Sequence, residues 1–215
     1  HERFRRQRQM CIRDRNMSKF NMQALAYHEG IPGHHMQISI AQELENIPKF
    51  RLYGGFTVFN EGWALYSEAI PKELGFYTDP FSDFGRLAGE LYRACRLVVD
   101  TGIHAKKWSR ERAIEYMNNN VPHSKNYNVR QIERYIVMPS QATAYKIGMI
   151  KIQELRELAE SSLGDRFDIR GFHDVVLKNG SVTMPILESN VKKWIKNCLL
   201  YTSDACRRNR SWGWR

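Results

Sequence analysis

The stretch His28-Glu29-Gly30-Ile31-Pro32-Gly33-His34-His35 decides how this sequence is interpreted, because it places three imidazoles and a carboxylate within eight positions. Neutral imidazoles and carboxylates are the ligand set of a catalytic zinc ion, which keeps one coordination position for water. A hydrolytic zinc ion also needs a general base close to it. Metal binding is therefore the leading interpretation, and a helix break with incidental histidines is the alternative.

The spacing of these histidines departs from the usual arrangement, in which two histidines four positions apart share one face of a helix. After His28, the next imidazoles come six and seven positions later, at His34 and His35. On an unbroken helix, a residue seven positions on lies about 10.5 Å further along the axis, too far to share an ion. The proline and glycines at 30–33 break the helix. We therefore predict a bulge that returns His34 or His35 to the side of His28.

A second acidic segment, Asn60-Glu61-Gly62-Trp63-Ala64-Leu65-Tyr66-Ser67-Glu68, offers a third ligand. The apolar residues after Glu61 predict a helix that begins near that residue. Glu61 and Glu68 are seven positions apart and two turns from each other, so from one helix only one of them can bind the metal. We predict Glu61 as the ligand and Glu68 as a solvated helix carboxylate.

Five segments together resemble the carboxy-terminal part of the bacterial domain-of-unknown-function family 885. They are HEGIPGHHMQ, NEGWALYSEAI, RACRLVVDTGIH, IERYIVMPSQATAYKIG and FDIRGFHDVVLKNGS, in family order from about Asn21 to Trp194. Members of that family resemble zinc metallopeptidases of the gluzincin type. The segment at 60–64 is also similar to the segment of zinc aminopeptidases whose glutamate is the third metal ligand.

The resemblance implies a site with one zinc ion, held by His28, Glu61 and one of His34 or His35. It also implies Glu29 as the general base. The glycine-histidine pair that ends the bulge is similar to the pair found in related zincin helices, which favours His34 over His35 as the ligand.

Other candidate site residues lie in the carboxy-terminal half. Tyr145 and His104 could each donate a hydrogen bond to an oxyanion. Arg134 and Tyr135 could bind a substrate carboxylate, since a guanidinium binds carboxylates through two hydrogen bonds. The structural alternatives are a packed aromatic ring for Tyr145, a surface histidine for His104 and an exposed ion pair for Arg134.

Periodicity and resemblance together predict a mainly α fold, a zincin-like helical metalloprotein with at most a short β edge near 50–59. Such an edge could bind a substrate backbone as an added strand. On the long helix predicted at 84–104, we expect Arg96 to pair with Asp100 one turn later. We expect Asn128 to cap the helix at 129–137. The predicted helices are Met17–Glu29, Gly33–Leu44, Glu61–Leu74, Phe84–His104, Arg110–Asn119, Val129–Val137, Ser140–Leu163, Asp168–Lys178 and one that follows Thr183.

Both ends of the chain look foreign to this domain. Residues 1–15 are a basic segment and residues 198–215 a tail, and strings within both resemble translated sequencing adapters; a native basic arm and tail is the alternative. The formal charge of the chain is +10, but six arginines against two acids in the first segment and four against one in the tail leave +3 on residues 16–197. We therefore expect a zincin-like catalytic domain piece at 16–197 and no nucleic-acid partner.

The cysteines and apolar runs limit the remaining possibilities. Three of the four cysteines, Cys11, Cys198 and Cys206, lie in those ends, so Cys95 remains and no disulfide framework is expected. No apolar run reaches the roughly 18–20 residues that a membrane span needs. The sequence leaves open the oligomeric state and the localisation of this bacterial protein, cytoplasmic, exported or attached as a lipoprotein.

Two classes of function remain. The first is a zinc-dependent hydrolase, a peptidase acting on a peptide or small amide substrate through metal-activated water with Glu29 as the general base. The second is a non-catalytic metal-binding or interaction domain that retains the zincin helices. Glu29 distinguishes the two classes, because a structural zinc site closes its fourth position and needs no base.

Overall fold

The computed structural model describes residues 19–45 and 47–200, and in that part of the chain it contains eleven α-helices, two 3-10 turns and no strand. The mainly α class predicted from the sequence is therefore confirmed. In chain order the helices are α1 (Met22–Glu29), α2 (His34–Glu43), α3 (Lys49–Tyr53), α4 (Thr57–Ser67), α5 (Ile70–Glu73), α6 (Pro80–Lys106), α7 (Arg110–Asn120), α8 (Lys125–Val137), α9 (Gln141–Leu163), α10 (Ile169–Leu177) and α11 (Met184–Leu200). The 3-10 turns are Lys19–Asn21 and Gly164–Arg166.

The β edge predicted near 50–59 is wrong. The segment is helical at both ends, because α3 covers its first part and α4 begins at Thr57. The large buried residues that follow, Phe59, Trp63 and Tyr66, are spaced four and three positions apart. That is the period of a helix face, and burying this face outweighs the short apolar alternation before it.

Helix α4 also ends earlier than predicted, at Ser67, and a separate short helix follows it. The start of α7 is confirmed, with Ser109 accepting a hydrogen bond from the backbone N–H of Arg112. The cap predicted for the next helix is wrong, because α8 begins at Lys125 and is capped by Ser124. Asn128 lies inside that helix, fully buried, and donates to Asn118 at 2.9 Å.

Two groups of buried apolar side chains form the interior. The larger group lies among α4, α9, α10 and α11 and includes Met149 and Leu187. The smaller lies among α6, α7 and α8 and includes Val99 and Ile132. Helix α9 joins them, because Ala142 in its first turn belongs to the smaller group and its later turns to the larger.

Helices α4 and α9 cross at a pair of glycines. A Cβ atom added to Gly62 would lie 2.5 Å from the Cα of Gly148, and one added to Gly148 would overlap the carbonyl oxygen of Val58. Neither position can carry a side chain unless the helices move apart. The crossing brings the residue before Gly62, which is Glu61, close to the turn of α9 that carries Tyr145.

The predicted foreign ends fall mostly outside the described residues. Residues 1–15 lie entirely outside them, and of the tail only residues 198–200 are described, as the last turn of α11 with Cys198 buried in the larger core. The division into three segments therefore stays a prediction. None of the helices in the described part of the chain combines the length and apolar character that crossing a membrane requires.

We expect Gly148→Ala to lower the free energy of unfolding by about 1–3 kcal/mol, because overpacking a close contact forces backbone shifts. The matched control is Gly89→Ala on α6, where an added Cβ would lie 2.9 Å from the terminal nitrogen of the flexible Arg93 side chain and 3.9 Å, an ordinary contact distance, from Oε2 of Glu68. Alanine there should change stability by no more than about 1 kcal/mol, in the favourable direction. Urea denaturation measures both, and equal effects of the two substitutions would show that the crossing is not tight.

Candidate metal centre

The glycine- and proline-containing bulge lies where the sequence predicts it. Helix α1 ends at Glu29, and α2 begins at His34. The indole nitrogen of Trp63 donates to the carbonyl oxygen of Pro32 at 2.9 Å, which fixes the bulge against α4. Residues 30–33 thus reverse the chain enough for His34 to return to the side of His28.

Three side chains meet at this point, one from each of three helices. The Nε2 atom of His34 lies 3.3 Å from Oε2 of Glu61, and Nε2 of His28 lies 3.9 Å from the same oxygen. One ligand atom from each of His28, His34 and Glu61 lies within 4.8 Å of the others. Ligands about 2.1 Å from a tetrahedral zinc ion are about 3.4 Å apart, so these atoms need only small side-chain movements to bind one ion.

Glu68 supports this cluster from the far side of His28. The Nδ1 atom of His28 lies 2.8 Å from Oε1 of Glu68, whose residue is only 3% exposed. The prediction of a solvated carboxylate is therefore wrong. The face of α4 that carries Glu61 continues to Glu68 two turns later, and α1 packs on it, so the two carboxylates approach the two nitrogens of one imidazole.

The hydrogen bond to Glu68 determines which nitrogen of His28 faces the cluster. A proton on Nδ1 is donated to the carboxylate, which leaves the lone pair of Nε2 on the side of Glu61 and His34. This pairing of an imidazole with an outer carboxylate is common among metal-binding histidines, because it fixes both ring orientation and tautomer. Gln37, one turn along α2, approaches Nδ1 of His34 in a similar way at 3.4 Å.

The charges within the cluster are coupled. The hydrogen bond with Glu61 raises the pKa of His34 above its ordinary value, although burial opposes the shift. Burial acts to raise the pKa of Glu61, but the hydrogen bond and charge of His34 outweigh it and the pKa is lowered. Both shifts favour the charged forms of His34 and Glu61, so a metal ion bound there would compete with a proton on His34.

Tyr145 lies at the cluster, on α9. Its hydroxyl lies close enough to Glu61 to help lower the pKa of that carboxyl, and its ring stacks on that of His28 with the planes 14° apart and the centroids separated by 6.4 Å. Gln141 donates to the same hydroxyl at 3.2 Å. The guanidinium of Arg96 lies 4.1 Å from the centre of the Tyr145 ring and donates to Gln141 at 3.0 Å.

The pairing predicted between Arg96 and Asp100 is wrong. Asp100 is buried and accepts hydrogen bonds from the backbone N–H groups of Ser140 and Thr143 and from the Thr143 hydroxyl. It therefore caps the start of α9 from the side of α6. Because the oxygens of Asp100 accept the hydrogen bonds that cap α9, Arg96 does not pair with Asp100 and contacts the Tyr145 ring.

Two of the remaining predicted site residues, Glu29 and His35, lie on the helices that carry His28 and His34. Glu29 is exposed at the end of α1, close enough to His34 for its charge to contribute to the raised pKa of that histidine. His35 is exposed at the start of α2 and lies outside the three-residue cluster. The structure thus places His34, and not His35, beside His28.

The structure does not bring His104, Arg134 and Tyr135 to the cluster. His104 lies eight residues beyond Arg96, about 12 Å further along the helix axis, and its Nε2 is 2.9 Å from the backbone oxygen of Tyr135. Arg134 is exposed on α8. Tyr135 is 1% exposed, and its hydroxyl bonds to that of Tyr92 at 2.9 Å. His104 and Tyr135 thus join α6 to α8, and none of the three residues supports an oxyanion or carboxylate site.

Sequence reasoning missed four residues that position the site: Glu68, Gln37, Arg96 and Gln141. Two of them carried a usable signal, because Glu68 is two turns from Glu61 and Gln37 is three positions from His34, both on a shared helix face. Gln141 precedes Tyr145 by four positions and carried a similar, weaker signal. The contact of Arg96 with Tyr145 joins two distant helices and has no local signature.

Solved structures that are similar to this chain include two candidate lipoproteins. The first is the crystal structure of a candidate lipoprotein from Colwellia psychrerythraea, which is 50% identical with a TM-score of 0.81 and matches 83% of this chain and 31% of its own. The second is a candidate lipoprotein of unknown function from Shewanella oneidensis, 26% identical with a TM-score of 0.74, matching 80% of this chain and 31% of its own. This chain therefore spans about a third of the length of each relative. Comparison with curated proteins gives no match.

The sequence pattern of one family covers nearly the whole chain. Residues 3–191 match the family described as "Bacterial protein of unknown function (DUF885)". The match contains both the bulge and the acidic segment of α4, and thus all three residues of the cluster. This chain belongs to that bacterial family of unknown function.

Proposed function

We propose that this chain carries the zinc site of a metal-dependent hydrolase that cleaves peptide or small amide bonds. The observation that carries the proposal is the convergence of His28, His34 and Glu61 within 4.8 Å, from three helices that a bulge and a glycine crossing bring together. Exposed acidic groups often cluster without a metal, but here His28 is buried and its second nitrogen is already held by Glu68.

The chemistry of the donor set fits zinc. Two imidazoles and one carboxylate are the ligands of many catalytic zinc sites, and three protein ligands leave a position for water, whereas a structural zinc site has four. The count of three therefore favours a hydrolase over the alternative of a non-catalytic metal-binding or interaction domain. A bound zinc ion would polarise a substrate carbonyl and make a water molecule more acidic.

We assign one residue, Glu29, to the proton transfers and another, Tyr145, to stabilising the negative charge that develops on the substrate oxygen. Glu29 directly follows His28 and is exposed, so its carboxylate can accept a proton from the attacking water and then pass it to the leaving amine. Tyr145 is assigned to the oxyanion, because its hydroxyl lies beside Glu61 and a neutral hydroxyl is a good donor to developing negative charge. Gln141 and Arg96 hold that ring and hydroxyl in place.

The descriptions of the two solved relatives suggest a cellular location for the complete protein. Both are described as candidate lipoproteins. We therefore propose that the complete protein is exported, which is one of the alternatives that the sequence leaves open. A peptide or amide substrate would then be met outside the cytoplasm.

The proposed ligands predict how zinc binding responds to substitution. The metal-free chain should bind one zinc ion, and His28→Ala, His34→Ala and Glu61→Gln should each weaken binding by more than about 100-fold, since loss of an outer-shell partner alone costs 10–100-fold. His35→Ala is the matched control and should bind as the wild type does. Titration calorimetry measures the affinities. If His34→Ala bound zinc as tightly as His35→Ala, the proposed ligand set would be rejected.

Replacing Glu68 by glutamine tests its supporting role. An amide holds the Nδ1 proton of His28 less strongly than a carboxylate, so Glu68→Gln should weaken zinc binding by about 10–100-fold. Glu43→Gln, at the exposed end of α2, is the control. Circular dichroism checks that both variants keep their helices. Unchanged affinity in a folded Glu68→Gln variant would mean that Glu68 does not orient the ligand.

The assigned catalytic residues predict separate losses of activity. In the complete protein that carries this sequence, Glu29→Gln should retain zinc and lose about 10²–10⁴-fold in turnover, the usual contribution of a general base. Tyr145→Phe should cost about 10–10³-fold, as for one oxyanion donor. Peptide hydrolysis and metal content are measured on the same samples.

Three other results of these measurements would contradict parts of the proposal. Unchanged turnover in Glu29→Gln would reject the assigned base, and loss of zinc in that variant would make Glu29 a ligand. A complete protein that binds zinc at this site but hydrolyses no peptide or amide would favour the non-catalytic alternative.

A further inference from the structure

A cavity of about 380 Å³ lies between the first turns of α4 and α9. Eight residues line it, and none of them carries a charge. Val58, Ala144 and Ile147 provide apolar walls, and Thr57 and Gln141 are among its neutral polar residues. Its volume is within the range of ordinary ligand sites, about 300–1,000 Å³.

This cavity adjoins the candidate metal centre. Thr57 and Val58 precede Glu61 by four and three positions on α4, so they share a helix face with that proposed ligand. On α9, Gln141 both lines the cavity and donates to the Tyr145 hydroxyl at 3.2 Å. A molecule whose reacting bond lies beside Tyr145 and Glu61 can therefore extend a neighbouring group into the cavity.

Two charged residues that bond to residues lining the cavity, Asp100 and Arg96, are already engaged. Asp100 accepts three hydrogen bonds from Ser140 and Thr143. Arg96 donates to the oxygen of Gln141 and has its guanidinium over the Tyr145 ring. A charged ligand group would thus lose hydration in the cavity without gaining an ion pair, whereas an apolar group would gain from leaving water.

We infer that this cavity is the subsite for an uncharged, apolar side chain next to the bond that is cleaved. This inference rests on the proposed function and adds the substrate class: peptides or amides with a residue such as leucine at that position. The cavity itself is formed by protein residues alone, so its preference can also be measured as binding, with no metal present.

The hydrolysis experiment compares Ile147→Asp with a matched control. Ile147 is 41% exposed, so aspartate there should be tolerated, and it places a carboxylate at the cavity wall. Ile186→Asp is the control, because Ile186 is 42% exposed and lies on α11 away from the cavity. The complete protein should prefer leucine over aspartate or lysine beside the bond, and Ile147→Asp should lower the leucine-to-lysine preference by at least about 10-fold. Ile186→Asp should leave it unchanged.

The binding experiment uses the metal-free chain and the N-acetylated amides of leucine, lysine and aspartate. The leucine amide should shift the NMR signals of Val58, Ala144 and Ile147 at lower concentration than the two charged amides do, and Ile147→Asp should abolish that difference.

These two measurements separate the subsite from the reaction. Hydrolysis without a preference for apolar residues, together with equal binding of the three amides, would overturn the subsite and leave the hydrolase proposal standing. Selective binding of the leucine amide without hydrolysis of any peptide or amide would count against the hydrolase proposal and would overturn the assignment of the cavity as a subsite beside a cleaved bond, because only its preference for apolar groups would remain.

Discussion

The contact on which the rest of the site depends is the crossing of α4 and α9 at Gly62 and Gly148. Two backbones that approach this closely exclude side chains between them, so the residues beside the crossing are held at a separation set by the main chain. Glu61 precedes the first glycine, and Tyr145 lies three positions before the second, which is why a carboxylate and a phenol from distant parts of the sequence lie close together. The backbones therefore set the distance between the two helices at this point, and Gln141 and Arg96 then hold the Tyr145 side chain in place.

The second constraint is the buried imidazole of His28. A buried polar ring must have its nitrogens satisfied, since an unpaired group in the interior costs about 1–3 kcal/mol. On the face of α4, Glu68 meets this requirement for Nδ1 at 2.8 Å, whereas Glu61, two turns earlier, lies 3.9 Å from Nε2 and is beyond hydrogen-bond distance. The short contact fixes the ring, and the longer one leaves room on the Nε2 side. His34 enters that space because the bulge at 30–33 turns α2 back toward α1.

Much of the fold and the centre of the site could be predicted from local pattern. Helix periodicity identified most of the helices, and the residue types of the bulge and of the acidic segment, together with the family resemblance, identified His28 and Glu61 as partners 33 positions apart. Where a prediction was wrong, packing between residues far apart in the sequence outweighs the structure that the local sequence pattern favours. The segment expected to be a strand is helical because a helix buries Phe59, Trp63 and Tyr66 on one face. Asp100 does not pair with Arg96 because its carboxylate caps α9. Glu68 was misjudged because the sequence does not show which helix covers its face.

The sequence by itself determined which residue types are available to bind a metal, where the helix between them breaks, and that the chain is mainly α. These properties depend on residues close together in the chain, through side-chain chemistry, the geometry of proline and glycine, and the period of the helix. The tertiary structure placed His34, which the resemblance favours over His35, beside His28. It alone decided that Glu68 supports the site and that Tyr145 lies beside it while His104 and Tyr135 do not. Those choices depend on how helices far apart in sequence pack, because a one-position rotation of a helix turns a side chain by about 100° and moves it from the cluster into solvent.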